Sequence, residues 1–145
     1  MKRMAIVFVI ALGPALLAQA ISLKPGQYEV VSVMAPAGRA TGMPPRKDLH
    51  CYTPQELDHL SDLMAKKDKG CNVVKSNVAG SALSFVTECS SPDGSKMTIT
   101  GDVTFASRES YHSVVNMKQT AGPPTPFAQG MTVTTDAKRI GECAK

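Results

Sequence analysis

The chain has 145 residues, a formal net charge of +4 at pH 7 and an aromatic content of only 5%. Its basic residues form no stripe interleaved with aromatic side chains, so the composition gives no indication of nucleic-acid binding. The length suits one small domain, and no apolar run is long enough to span a bilayer comfortably.

The first 20 residues have the pattern of a secretory signal peptide. Lys2-Arg3 is a basic start, an apolar run covers 5–17, and Ala18-Gln19-Ala20 gives an A-x-A cleavage site. We therefore predict that residues 1–20 are removed. Residues 21–145 are then expected to form one periplasmic or secreted domain, without stable membrane insertion, whose net charge has fallen to +2.

The mature chain begins with a strand pattern. Residues 27–34 are rich in β-formers and follow the turn-forming pair Pro25-Gly26. Ser32 is the polar exception on a face that is otherwise apolar. The apolar side chains of that face are Tyr28, Val30 and Met34. The Gly- and Pro-rich segment from Ala35 to Asp48 predicts a loop.

A helix start follows the loop. Thr53-Pro54-Gln55-Glu56 places a hydroxyl at the N-cap, proline at the first helical position and glutamate at the third, as in a capping box. Three apolar side chains continue at helical spacing: Leu57, Leu60 and Met64. Lys66, Lys67 and Gly70 are end signals, so one amphipathic helix is predicted from about Pro54 to about Lys67.

The four cysteines of an exported domain predict two disulfides. Residues 71–78 and 82–89 have the pattern of a hairpin, and Cys71 and Cys89 are equidistant from Gly80 in its turn. Cross-strand neighbours are close enough for a disulfide, which leaves Cys51 to pair with Cys143. The pairing of Cys51 with Cys71 and of Cys89 with Cys143 remains the alternative. A metal site is disfavoured, because no C-x-x-C or H-x-x-x-H spacing occurs.

The C-terminal half shows the clearest strand alternation. Met97, Ile99, Val103 and Phe105 share one face with Gly101, and threonines occupy the other. A turn near 107–110 leads into a strand whose apolar side carries Tyr111, Ser113, Val115 and Met117. A Pro-rich excursion over 119–130 precedes a last strand over about 131–138. The predicted fold is α+β: a curved, mostly antiparallel sheet of about six or seven strands with one amphipathic helix, linked by disulfides.

Several short motifs in this order resemble the DUF3617 family of bacterial exported proteins. They are Leu23-Lys24-Pro25-Gly26-Gln27-Tyr28-Glu29-Val30, Cys51-Tyr52-Thr53-Pro54, Thr100-Gly101-Asp102-Val103-Thr104-Phe105 and Arg139-Ile140-Gly141-Glu142-Cys143. The resemblance covers about residues 23–143 and implies a signal peptide, a β-rich domain and paired cysteines. Tyr28 is a departure, since such openings usually carry Trp. The family has no assigned function, so the resemblance transfers no catalytic residue.

No motif of the sequence indicates catalysis or a cofactor. Nothing in the spacing of the three histidines, His50, His59 and His112, brings them together. No nucleophile, metalloprotease or phosphate-loop motif occurs. The methionines fall mostly on core faces, where this residue is a flexible filler. We therefore predict no catalytic residue, no metal ligand and no cofactor.

The sequence leaves three functions open. The first is a non-catalytic binding or accessory protein of the bacterial envelope, acting with an unidentified envelope protein. The second is a carrier of a small apolar ligand in the concavity of the sheet, with Phe105, Tyr111, Met97 and Met117 as lining residues. The third is an envelope enzyme with an unrecognised site. A roomy apolar pocket favours the carrier, whereas a filled core favours the accessory protein.

Overall fold

The computed structural model describes residues 22–37, 42–65, 69–124 and 128–144. The predicted signal peptide at residues 1–20 lies outside these ranges. Seven strands and two short helices follow one another along the chain. Their bounds are β1 Gly26–Pro36, β2 Arg46–Tyr52, α1 Pro54–Asp58, α2 Leu60–Met64, β3 Cys71–Ala79, β4 Ala82–Ser90, β5 Lys96–Ser107, β6 Ser110–Ala121 and β7 Met131–Gly141.

All seven strands belong to one antiparallel sheet in the order β2-β1-β7-β6-β5-β4-β3. The predicted fold, a mostly antiparallel sheet of six or seven strands, is confirmed. Strands β3 to β7 form a meander, and β1 lies between β7 and β2, so the two ends of the domain meet inside the sheet. Neither helix in the described ranges has the length and apolar character needed to cross a bilayer.

Strand β2 corrects the sequence analysis, which predicted a loop from Ala35 to Asp48. The first strand continues to Pro36, and β2 begins at Arg46. It pairs antiparallel with β1, with Arg46 opposite Ser32 and Tyr52 opposite Gly26. Its first residues are charged and exposed, which is usual for an edge strand and hides the alternation by which a strand is predicted.

The single predicted helix is also wrong in its length. It is interrupted at His59, whose backbone angles are φ −118° and ψ 31°, so that α1 and α2 have five residues each. The His59 amide bonds to the Glu56 carbonyl three residues back, which tightens and ends the first turn. The predicted end signals at Lys66 and Lys67 lie outside the described residues. The apolar stripe nevertheless packs as predicted, with Leu60 buried in the core.

The predicted capping box is confirmed. The Glu56 amide donates to the Thr53 hydroxyl at 3.2 Å, and the Thr53 amide donates to the Glu56 carboxylate at 2.8 Å. Thr53→Ala removes the hydroxyl acceptor, and we expect it to lower the free energy of unfolding by about 1 kcal/mol. Urea denaturation measures this difference, with Ser61→Ala as a control for a hydroxyl on α2 that caps no helix. A stability equal to that of the control would show that the cap contributes nothing.

The helices pack on one face of the sheet, which we call the helix face. Tyr28, Leu83 and Val103 are fully buried on it. The buried Thr87 hydroxyl donates to the Ala65 carbonyl at 2.8 Å, which fastens the end of α2 to the sheet. The opposite, outer face carries the predicted threonines, with Thr100 and Thr104 exposed.

The cysteine pairing follows from the hairpin of β3 and β4. Its turn is the pair Gly80-Ser81, since Ala79 is opposite Ala82, so the predicted symmetry about Gly80 fails near the turn. A β-bulge at Val74 shifts the register by one residue and places Cys71 opposite Cys89. The disulfides join Cys71 to Cys89 and Cys51 to Cys143, with Cα–Cα distances of 4.0 and 5.5 Å.

Candidate functional site

A cleft of about 270 Å³ opens on the helix face, between α2 and the strands β1, β2, β5, β6 and β7. The end of α2 is fastened over the part of this face around Thr87, which is buried. Beyond the helices, side chains such as Val115 and Val133 are only partly buried. The cleft therefore exists because two short helices cannot cover seven strands.

The walls of the cleft are mainly apolar. The strands contribute alternate residues, because successive side chains of a strand point to opposite faces. Leu63 and Met64 of α2 form the opposing wall. The apolar side chains contributed by the strands are Val30, Val103, Val115, Met117 and Val133.

Three hydroxyls cross the floor of the cleft in one row. Thr135 of β7 is directly opposite Ser32 of β1 on one side and Ser113 of β6 on the other. The Ser32 and Thr135 hydroxyl oxygens are 3.1 Å apart and share a hydrogen bond, and Ser113 is 6% exposed. We call Ser32, Thr135 and Ser113 the hydroxyl row. It places hydrogen-bonding groups in the middle of an apolar surface.

Two tyrosines and a histidine form the end of the cleft nearest α1. The Tyr52 and Tyr111 hydroxyls are 2.8 Å apart, and burial raises the pKa of both phenols, so they are neutral at physiological pH. The His50 ring lies against Tyr52, with centroids 4.3 Å apart. Its Nε2 atom is buried without a hydrogen-bond partner, 3.7 Å from a Glu56 carboxylate oxygen. Hydrogen bonding from the Thr53 amide is the main cause that lowers the pKa of Glu56.

The four residues expected to line the ligand site lie at three different places in the structure. Tyr111 and Met117 line the cleft. Phe105 lies in the core, with its ring centroid 6.0 Å from that of Tyr111, and is not part of the lining. Met97 lines a different depression of about 230 Å³, beside Cys89 and the loop between β4 and β5.

Sequence reasoning missed the hydroxyl row and the wall formed by α2. Ser32 and Ser113 had been assigned to apolar strand faces, and a polar residue on such a face is the signal that points to a site. Thr135 carries the same signal, because it shares a face of the last strand with Met131 and Val133. The wall formed by Leu63 depends on the break at His59, which the sequence did not predict.

Two histidines have carboxylate neighbours. His112 Nδ1 is 2.7 Å from Asp136 on the outer face, and His50 approaches Glu56 at the helix cap. Among the described residues, no serine, threonine or cysteine side chain hydrogen-bonds to either imidazole, which a nucleophile activated by histidine would require. The same part of the chain holds no group of three or more His, Cys, Asp or Glu residues arranged for a metal ion.

These features define a small, disulfide-linked antiparallel β-protein with an apolar cleft on its helix-bearing face. Its sequence matches the family of proteins of unknown function DUF3617 over residues 23–143, and the chain belongs to this family. Comparison with curated proteins and with solved structures finds no match. The family description names no activity.

Proposed function

We propose that this protein is an exported, non-catalytic binding protein that carries a small apolar molecule in the cleft. The observation that supports it is the open, mainly apolar cleft of about 270 Å³ on the helix face. Burying apolar surface contributes roughly 25 cal/mol per Å², so a ligand that fills the cleft gains affinity from both partners' surfaces. Concave apolar sites with a few polar groups are the usual form of small-molecule sites.

The cleft limits the size of the ligand. Sites for drug-sized molecules range from about 300 to about 1,000 Å³. The volume of about 270 Å³ lies just below this range and suits an aromatic compound of two or three rings or a short acyl chain. Larger ligands would have to extend past α2 into solvent.

Two observations support export. The first 20 residues have the signal-peptide pattern, and both disulfides belong to the type of link that persists in oxidising compartments. In the proposal, the protein acts in the periplasm or outside the cell. Its partner there is the apolar ligand.

The two other functions have weaker support. An accessory protein acting only through its surface does not need an open apolar cleft. An enzyme needs a reactive group, and neither His112 nor His50 has a nucleophile hydrogen-bonded to it among the described residues. The absence of catalysis stays a prediction.

A pair of tryptophan variants on β6 tests the cleft. Val115 lines the cleft, whereas the neighbouring Val114 points to the outer face, opposite Asp102 and Thr134. Wild type and Val114→Trp should both raise the fluorescence of the uncharged probe N-phenyl-1-naphthylamine. Val115→Trp fills the cleft and should weaken binding at least about ten-fold, equivalent to about 1.4 kcal/mol.

Circular dichroism and thermal unfolding verify that both variants fold. A wild-type protein that does not bind the probe would contradict the proposal. Equal binding by the two tryptophan variants would also contradict it, because the probe would then sit elsewhere.

A further inference from the structure

We infer that the cleft selects uncharged molecules that carry a hydroxyl or similar hydrogen-bonding group, and rejects carboxylates such as fatty acids. The inference rests on the proposed function, because it names the class of ligand for the same cleft. It follows from two observations: the hydroxyl row in the floor, and the charges around it.

The hydroxyl row has unused hydrogen-bonding capacity. Ser32 and Thr135 share one hydrogen bond, so one of their two O–H donors and several lone pairs remain free. Ser113 is almost buried, and its hydroxyl forms no hydrogen bond with another side chain in the described ranges. Polar groups in an apolar cleft cost free energy when they lack partners. A ligand hydroxyl above the row can both donate and accept, and so matches it.

Among the described residues, the lining of the cleft offers no lysine or arginine side chain to an anionic ligand. None of its lining residues in the described part of the chain is Asp, Glu, Lys or Arg. The nearest basic residue along the row is Arg46, which is opposite Ser32 on β2. Its guanidinium is already paired with Asp48, with Nε 2.7 Å from the carboxylate oxygen. A carboxylate entering the cleft would lose its hydration without gaining a counter-ion, which is strongly unfavourable.

The aromatic end of the cleft leads to the same conclusion. The Tyr52 and Tyr111 hydroxyls share one hydrogen bond, and both phenols remain neutral. His50 has a buried ring nitrogen without a hydrogen-bond partner, and the carboxylate of Glu56 lies beside it. That negative charge further disfavours an anion at this end. The whole cleft therefore favours a neutral ligand with hydrogen-bonding capacity.

Three compounds of the same ring system separate the possibilities: naphthalene, 2-naphthol and 2-naphthoate. Each is titrated at pH 7 to displace N-phenyl-1-naphthylamine. One neutral hydrogen bond contributes about 0.5–1.5 kcal/mol, so 2-naphthol should bind about two- to thirteen-fold more tightly than naphthalene. The ionised 2-naphthoate should bind most weakly of the three.

Variants of the hydroxyl row show whether its side chains cause the preference for 2-naphthol over naphthalene. Ser32→Ala combined with Ser113→Ala and Thr135→Val removes all three hydroxyls of the row, and should reduce 2-naphthol to the affinity of naphthalene, while naphthalene itself binds at least as well. Thr132→Val is the matched control, because the Thr132 hydroxyl donates to Asn116 at 2.7 Å on the outer face of the same strand. This control should keep the preference of the wild type.

The outcomes distinguish the two proposals. If 2-naphthoate binds most tightly, or if the preference for 2-naphthol survives in the triple variant, the inference about ligand class is overturned while cleft binding stands. If the wild type does not bind the probe, or Val115→Trp binds it as well as Val114→Trp, both proposals are overturned.

Discussion

Replacing Cys51 and Cys143 together by alanine should lower the free energy of unfolding by about 4–5 kcal/mol. This disulfide joins residues separated by 92 positions, from the edge strand β2 to the end of the domain. Without it, the unfolded chain gains the entropy of a very large open loop. Urea denaturation of the oxidised proteins measures the loss from the midpoint and the slope m together, because loss of the cross-link also changes the compactness of the unfolded chain.

The second disulfide provides the matched comparison. Cys71 and Cys89 are separated by only 18 positions, so their replacement by alanine should cost about 3 kcal/mol. The loop model thus predicts that loss of the long-range link costs about 1–2 kcal/mol more. A larger loss from the hairpin link would show that local strand pairing, rather than loop entropy, decides the stability of this domain.

Gly101→Ala should cost about 1–3 kcal/mol by overpacking the core. Gly101 is directly opposite Phe85 on the helix face, and a Cβ atom at Gly101 would overlap the Phe85 ring. Phe85 is 2% exposed and packed in the core, so its ring has little room to move away. Chemical denaturation of the single variant measures the cost.

A second substitution separates overpacking from a backbone effect. Phe85→Leu removes the ring atoms that would be overlapped, so Gly101→Ala should cost less in a Phe85→Leu background than in the wild type. This difference is the coupling free energy of a double-mutant cycle. An unchanged cost would mean that Gly101 is needed for a reason other than the close approach of Phe85.

The sequence predicted those elements whose pattern is contained within a short segment of the chain. The alternation of apolar and polar residues around Val103 and Tyr111 identified β5 and β6, because one face of each strand is buried and the other is exposed to solvent. The cap at Thr53 was evident, because a capping box is defined by residues three positions apart. In both cases the residues that form the sequence pattern are the same residues that make the contacts of the strand or the helix cap.

The features that were missed depend on the tertiary structure. Strand β2 begins with charged residues that are tolerated only because Arg46 to Leu49 lie at a sheet edge. The break at His59 moves α2 relative to α1, and no helix-breaking residue marks it. The cleft depends on both, since its walls combine α2 with distant strands. Such a site is not visible in any short segment of the sequence.

Tyr28 shows how a departure from the family pattern is accommodated. The position at which similar openings usually carry Trp is fully buried here. The Tyr28 hydroxyl donates to the Lys24 carbonyl at 2.8 Å, and its ring meets Tyr52 edge to face with centroids 5.0 Å apart. A large aromatic ring with a polar tip therefore suits this position.

Methionine methyl signals test the central claim most directly, because methionines lie both inside and outside the cleft. Met64 and Met117 line the cleft, Met97 lines the separate depression near Cys89, and Met43 is exposed on the loop before β2. N-phenyl-1-naphthylamine is titrated into protein labelled with ¹³C at the methionine methyl groups. The account predicts saturable shifts of the Met64 and Met117 signals, with Met97 and Met43 unchanged. Shifts confined to Met97, or no shift of any methionine signal, would contradict it.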